Sequence, residues 1–203
     1  LTTGIVTATV DETALSDVVG GLTETNTHNL TVNIAGTDLS AADLVTLQTL
    51  TTGTITLTGT TPLITGTASN VTSVLNSTRV TGFSNSNVVV TGGLTVSQLN
   101  DITDVTDGTV TASVTDGDMA TLSGINGTGN ILTITVTDAS VVATELTALD
   151  AKTTGQLNVS SSNDITGTYT EVDAVLDATT ITGRAAVTAT LSDTSISVAN
   201  ANL

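Results

Sequence analysis

One nine-residue pattern, met four times in the same phase, constrains this chain more than anything else in it. TTGIVTATV occupies 2–10, TTGTITLTG 51–59, TDGTVTASV 106–114 and TTGQLNVSS 153–161. Two positions after each glycine stand Val6, Ile55, Val110 and Leu157, and four after stand Ala8, Leu57, Ala112 and Val159. Between and beyond them the residues are polar: Thr7, Thr56, Thr111 and Asn158, then Thr9, Thr58, Ser113 and Ser160. Alternation with β-branched enrichment marks a strand with one buried face. The glycines Gly4, Gly53, Gly108 and Gly155 lie 49, 55 and 47 residues apart. A period of that length is the mark of a repeat architecture.

The segment before each glycine is equally regular. Leu44, Leu99 and Leu146 lie nine residues before Gly53, Gly108 and Gly155, and Leu47, Ile102 and Leu149 follow three residues later. That spacing, in SAADLVTLQ, TVSQLNDIT and VATELTALD, predicts a short helix with one apolar stripe. The TTG phrase then ends the helix, with glycine expected to supply a left-handed C-cap. A second set of strands is predicted at NLTVNIAG (29–36), NVVVTG (87–92), NILTITV (130–136) and RAAVTATL (184–191). A further apolar cluster separates each pair of strands. It reads ITGTASNVTSVL (64–75) and ITGTYTEVDAVL (165–176) in two copies, and the shorter DETALSDVV and DGDMATLSGI in the others.

About eight strand-plus-helix units result, in pairs starting near residues 4, 53, 108 and 155, with a longer repeat near one hundred residues covering 4–107 and 108–203. No such unit buries its apolar face alone, whereas stacked units do. The expectation is a single solenoid domain over 1–203: α/β coils, leucine-rich-repeat-like, each a strand plus a short helix with a parallel sheet. The alternative is an all-β solenoid in which the Leu-x-x-Leu segments are arcs.

Composition agrees with a thin core. Threonine fills 49 of 203 positions, while Phe83 and Tyr169 are the only aromatic residues. Arg79, Lys152 and Arg184 are the only strong bases against 19 acids, for a net charge of −16. Nucleic acid needs clustered cations to displace counterions, and three scattered ones cannot supply that. Anionic membrane surfaces are disfavoured on the same ground. No apolar run approaches the roughly 18 residues that suggest a membrane span. The chain holds no cysteine, which removes disulfide scaffolds and thiolate metal sites. Beginning in mid-repeat at LTTG, it reads as a piece of something longer.

The chemistry-bearing residues are few. His28 is the only histidine, in TNTHNL, and reads as a solvated turn residue. A nucleophile elbow, a zinc cluster and a phosphate-binding glycine loop are all missing from the sequence, so no enzyme is expected. Asp101, Asp104 and Asp107 stand three apart, and Asp116 and Asp118 flank a glycine. These five are the weak Ca²⁺ candidates, although a helix–loop–helix calcium loop needs ligands two apart and a closing glutamate. Solvated acidic turns are the plainer reading. Asn-x-Ser/Thr matches start at Asn29, Asn70, Asn76, Asn126 and Asn158, a number that a threonine-rich chain gives by chance. Stacked strands about 4.8 Å apart would align Thr7, Thr56 and Thr111 beside Thr9, Thr58 and Ser113. Such a T-x-T file resembles the water-ordering face of ice-binding β-solenoids.

TDASVVATELTALDAKTTGQLNVSS (137–161) and ITGTYTEVDAVL (165–176) resemble phrases of very large repetitive surface proteins of cyanobacteria and other aquatic bacteria. The resemblance covers most of the chain, carries no catalytic motif, and implies an extracellular, array-forming role. The expectation is therefore a structural repeat segment of a secreted surface protein, filament, sheath or surface layer. It would self-associate by stacking into a homo-oligomer or head-to-tail polymer, with cell-surface glycans as further candidate partners. The alternatives are an adhesin segment stiffened by Ca²⁺ and an ice- or surface-binding solenoid.

Overall fold

The computed structural model describes residues 5–22 and 28–197, so Gly4 of the first pattern lies outside the described residues. It is an α/β fold in which strands and helices alternate and strands pair in parallel. The chain divides into two compact units. One holds Leu1–Gly92 with Asp101–Thr111, and the other Gly93–Asn100 with Ala112–Leu203.

The first unit contains β1 (Thr7–Glu12), α1 (Leu15–Gly21), β2 (Asn29–Ile34), β3 (Asp38–Ser40) and α2 (Ala41–Leu50). It continues with β4 (Ile55–Leu57), β5 (Leu63–Thr67), α3 (Ala68–Leu75) and β6 (Val80–Thr81). Next come β7 (Asn87–Leu94), α4 (Val96–Thr103) and β8 (Val110–Val114), which give residues to each unit. The second unit holds α5 (Met119–Leu122), β9 (Ile131–Thr135), β10 (Ser140–Val142), α6 (Ala143–Asp150) and β11 (Leu157–Asn158). It ends with β12 (Asp164–Gly167), α7 (Tyr169–Asp177), β13 (Ile181–Thr182), a 3-10 turn over Arg184–Ala186, and β14 (Thr188–Leu191).

Register puts like residues side by side. In the first unit the strand order is β1-β2-β4-β6, and Val10, Val32, Ile55 and Val80 stand level in one row. Val32 and Ile55 are wholly buried, and Val80 nearly so. In the order β3-β5-β7, Leu39, Ile64 and Val88 form a second buried row. The second unit repeats the device with Ile134, Leu157 and Ile181 in one row, and Val141, Ile165 and Ala189 in another. Each fully buried aliphatic side chain contributes about 1.5–3 kcal/mol, so the stability of a chain this poor in aromatics rests on such rows.

The helices close the apolar sides. Leu44 and Leu47 of α2, Leu99 and Ile102 of α4, and Leu146 and Leu149 of α6 are all buried. The Leu-x-x-Leu segments are therefore α-helices, and the all-β alternative is set aside. Several helix starts are fixed by side chains that accept an orphan N–H, though α1 and α6 have no such side-chain cap. Ser40 caps α2, Thr67 caps α3, and Thr168 caps α7 in a reciprocal capping box with Glu171.

Four expectations are corrected. Most strand–helix units carry two strands rather than one, because short strands such as β5 and β12 run directly into the next helix. The first copy of the pattern is out of step with the second: Thr56 stands level with Asn33 and Asp11, not with Thr7. Val6 is consequently 37% exposed, and Ala8 is exposed too, while Val10 takes the core row. A T-x-T file is not assembled, since the outward row reads Asp11, Asn33, Thr56, Thr81. Finally, Gly53, Gly108 and Gly155 are not left-handed; positive φ belongs to Gly82, Gly92, Gly127, Gly129 and Gly183 among the glycines. The pattern glycines serve a different need.

Candidate functional site

The Thr-x-Gly phrase is a lock between neighbouring strands. A Cβ built on Gly53 would sit 2.1 Å from the Leu30 carbonyl oxygen, and one on Gly155 would sit 2.0 Å from that of Leu132. Only glycine permits that approach of backbone to backbone. The threonine two residues earlier is buried in each case: Thr51, Thr106 and Thr153. The Thr51 hydroxyl accepts from Leu30 N at 2.8 Å and from Gly53 N at 3.0 Å, and has the His28 and Leu30 carbonyls as acceptors at 3.1 and 2.7 Å. Thr153 repeats the geometry on Asn130 and Leu132. These threonines were read from the sequence only as part of a helix stop. The signal that could have found them was the fixed Thr-x-Gly spacing within the pattern.

The acids are engaged in the same economy. Asp118 is the N-cap of α5, accepting from Thr121 N at 2.9 Å. That backbone N–H first, and the Thr121 hydroxyl second, hold its carboxyl below the ordinary value. Asp116 accepts from Val96 N, the first residue of α4, at 2.7 Å. Asp138 does the same for Met119 of α5 at 2.7 Å, and Asp193 for Tyr169 of α7 at 2.6 Å. Negative charge at a helix start is favourable, so each of these pairs ties one segment to another about 20 residues away in sequence. Asp116 and Asp118 are thus helix-capping anions. Asp101 lies on an exposed turn of α4, with Asp104 and Asp107 exposed just beyond it. Among the described residues, no group of three or more His, Cys, Asp or Glu side chains gathers to hold a metal ion.

Two of the three strong bases close helix C-termini. The Arg79 guanidinium donates to the Gln48 and Thr51 carbonyls at the end of α2, at 2.8 and 2.5 Å. Arg184 donates to the Val175 and Leu176 carbonyls at the end of α7. His28 stands just before β2, where its backbone forms an isolated bridge with Thr51 and its Nδ1 accepts from Val6 N at 3.2 Å.

One concavity lies in the second unit, between α5 and α6. Its volume is about 360 Å³, with Met119, Leu122 and Leu149 as an apolar floor and Ser123, Glu145 and Lys152 among its lining. It exists because α5 has four residues where α6 has eight, so one helical turn is missing beside its neighbour. A second hollow of about 280 Å³ in the first unit is bordered by Asp11, Glu12, Asn33 and Thr58.

Two edge strands, β1 and β14, differ from the other edges, where Leu39, Val80, Val141 and Ile181 are buried. Inward positions of β1 and β14 stand level with buried residues and are themselves uncovered. Ala8 is exposed beside the buried Leu30, and Ala189 is exposed beside the buried Ile165. Ile5 is 77% exposed. No helix among the described residues is long and apolar enough to cross a membrane. Comparison with family models, with curated proteins and with solved structures returned no match.

Proposed function

We propose that this chain is a structural segment of a secreted bacterial surface protein, in which strand–helix units stack as a solenoid and the ends of the stack self-associate. The observation that carries the reading is the way the apolar rows run out. Val10 ends the row of Val32, Ile55 and Val80, and Ala189 ends the row of Val141 and Ile165, on strands beyond which no further strand pairs among the described residues. An open parallel edge with an uncovered apolar side is a template for a further strand.

Support also comes from how the polar groups are used. Carboxylates close helix N-termini, guanidiniums close C-termini, and buried threonines satisfy backbone between strands. Chemistry of that kind holds shape and transforms nothing. A surface fibre, sheath or layer is the role such a stack fits, with the resemblance of its phrases to repetitive bacterial surface proteins pointing to the extracellular side.

Negative-stain electron microscopy and sedimentation of the purified chain test the reading. Concentration-dependent filaments or head-to-tail oligomers are expected. A species that stays monomeric at every accessible concentration overturns it.

A further inference from the structure

We infer that Asn126 is a site of self-modification: in the folded chain its side-chain amide is lost through attack by the Gly127 nitrogen, leaving aspartate or isoaspartate at that position. The inference is independent of whether copies stack. It stands on one loop of the second unit, and on two other sequence pairs that the fold treats in the opposite way.

The reaction has three requirements. The next backbone nitrogen must reach the side-chain carbonyl carbon, the next residue must not crowd the five-membered ring that forms, and the peptide between them must rotate. A following glycine meets the second requirement because it has no Cβ. Asn126–Gly127 is the one Asn-Gly pair in the sequence. Asp-Gly pairs reach the same ring more slowly, with water as the leaving group in place of ammonia. They occur at Asp107–Gly108 and Asp116–Gly117. The sequence thus offers three candidates, and the fold chooses among them.

It leaves Asn126 open. Residues 126–129 are exposed one after another, between the buried Ile125 and Asn130, and belong to neither helix nor strand. Among the described residues, neither the Asn126 side-chain amide nor the Gly127 N–H makes a hydrogen bond, so neither reacting group is held away. A Cβ built on Gly127 would meet only the Asn130 amide nitrogen, at 3.7 Å, which leaves room for the ring to close. What tethers the loop lies upstream of the reacting peptide. Asn100 of α4 accepts from Asn126 N at 2.9 Å and donates to the Gly124 carbonyl at 2.8 Å. The Asn126–Gly127 peptide can turn without breaking either bond.

The other two pairs are closed. Gly108 N donates to the Thr106 hydroxyl at 3.1 Å, and Asp107 N donates to the Ser84 carbonyl at 2.7 Å. A Cβ on Gly108 would lie 2.0 Å from the Ser86 carbonyl oxygen, so that peptide is pressed against neighbouring backbone. At Asp116 the carboxylate itself is engaged, accepting from Val96 N at 2.7 Å, while the Gly117 carbonyl accepts from Thr137 N at 2.8 Å. Each of these peptides must break hydrogen bonds before it can react, a local opening that Asn126 does not need.

The Gly127 nitrogen gives up its proton and bonds to Asn126 Cγ. The bond from Cγ to the side-chain nitrogen breaks, and that nitrogen leaves as ammonia with the proton. Water then opens the cyclic imide. Addition at Cγ gives aspartate, addition at the main-chain carbonyl carbon gives isoaspartate, and in both the ring nitrogen regains its hydrogen. Either product adds one negative charge to a chain already at −16 and removes the Asn-x-Thr match that begins at Asn126.

The test incubates the full chain at mildly alkaline pH, folded and in parallel in guanidinium chloride. Peptide mapping by mass spectrometry then follows the exchange of an amino group for a hydroxyl and separates aspartate from isoaspartate. Folded Asn126 is expected to convert within about fivefold of its rate in denaturant, because an exposed loop has almost no opening cost. Asp107 and Asp116 are expected to isomerise at least about tenfold more slowly in the folded chain than in denaturant. Asn126→Gln, whose ring would need a sixth member, should abolish the acidic species that ion exchange resolves during folded incubation. An Asn126 that reacts in denaturant and stays intact in the folded chain overturns the assignment. So does a folded chain in which Asn76, exposed but followed by serine, loses its amide as fast. Asp-Gly pairs that isomerise equally in both conditions would overturn the selection by the fold.

Discussion

At the scale of single residues, threonine does two opposite jobs here, and only position tells them apart. Thr133 faces solvent on β9, where a β-branched side chain suits the strand and the hydroxyl is incidental. Thr153 is 6% exposed and its hydroxyl serves Leu132 N, Gly155 N and the Asn130 carbonyl at 2.8, 2.9 and 3.1 Å. Valine has nearly the same shape but neither donates nor accepts. Thr153→Val should therefore leave buried backbone groups unsatisfied and cost about 1–3 kcal/mol, while Thr133→Val should stay within about 0.5 kcal/mol. Urea midpoints of the two variants check this; equal midpoints would mean that the buried hydroxyls hold nothing. Alternation revealed which residues point inward, but it could not separate a buried threonine from an exposed one. Thr51, Thr106 and Thr153 lie at the ends of helices, where the two-residue period no longer applies.

At the scale of elements, the helices were legible because their stripes are unambiguous. Leu44 with Leu47, and Leu146 with Leu149, are placed where a three-residue spacing on a short helix puts them. The short strands before the helices were not legible, since three residues such as Ser140–Val142 show no period at all. Nor did the acids announce their role. DGDM reads as a solvated acidic turn with Ca²⁺ as a weak alternative, and the alternation gives no hint that Asp116 would meet the N–H of Val96 or that Asp118 would start α5. Among the described α-helices α5 is the shortest, and Asp118 caps its start, which gives the pH prediction. Asp118 has a folded pKa below its unfolded one, so the stability it adds is present above the unfolded value and lost as pH falls through the folded one. Asp118→Asn keeps an N-cap acceptor and should melt close to the parent at neutral pH. Between pH 5 and pH 3, by contrast, it should lose less stability than the parent, as the ordinary carboxylate range dictates. Urea titrations of the two proteins at these pH values decide it; parallel pH profiles would show that the ionised cap contributes nothing.

At the scale of the whole molecule, charge opposes the geometry. Every copy carries a net charge of −16, and acids lie on both of the exposed edge strands or next to them, with Asp11 and Glu12 on β1 and Asp193 just past β14. The apolar and backbone contacts that would join copies act only at contact, whereas repulsion acts over a Debye length of about 30 Å at 0.01 M salt and about 10 Å at 0.1 M. Low salt should keep copies apart, and added salt should let the short-range contacts win. The weight-average mass in sedimentation is therefore expected to rise with sodium chloride at neutral pH. It should rise again at low salt as pH approaches the isoelectric region near 4.1, where the repulsion disappears. Both changes have one cause, so they should be interchangeable: a modest drop in pH should replace a given increment of salt. Assembly that weakens as salt is added would mean that charge attraction joins the copies, through one of the few cations rather than through apolar rows. Lys152 is then the group to suspect, because Arg79 and Arg184 are already bonded to helix ends. Lys152→Gln would separate the two cases, abolishing a salt-sensitive joint and leaving an edge-to-edge one untouched.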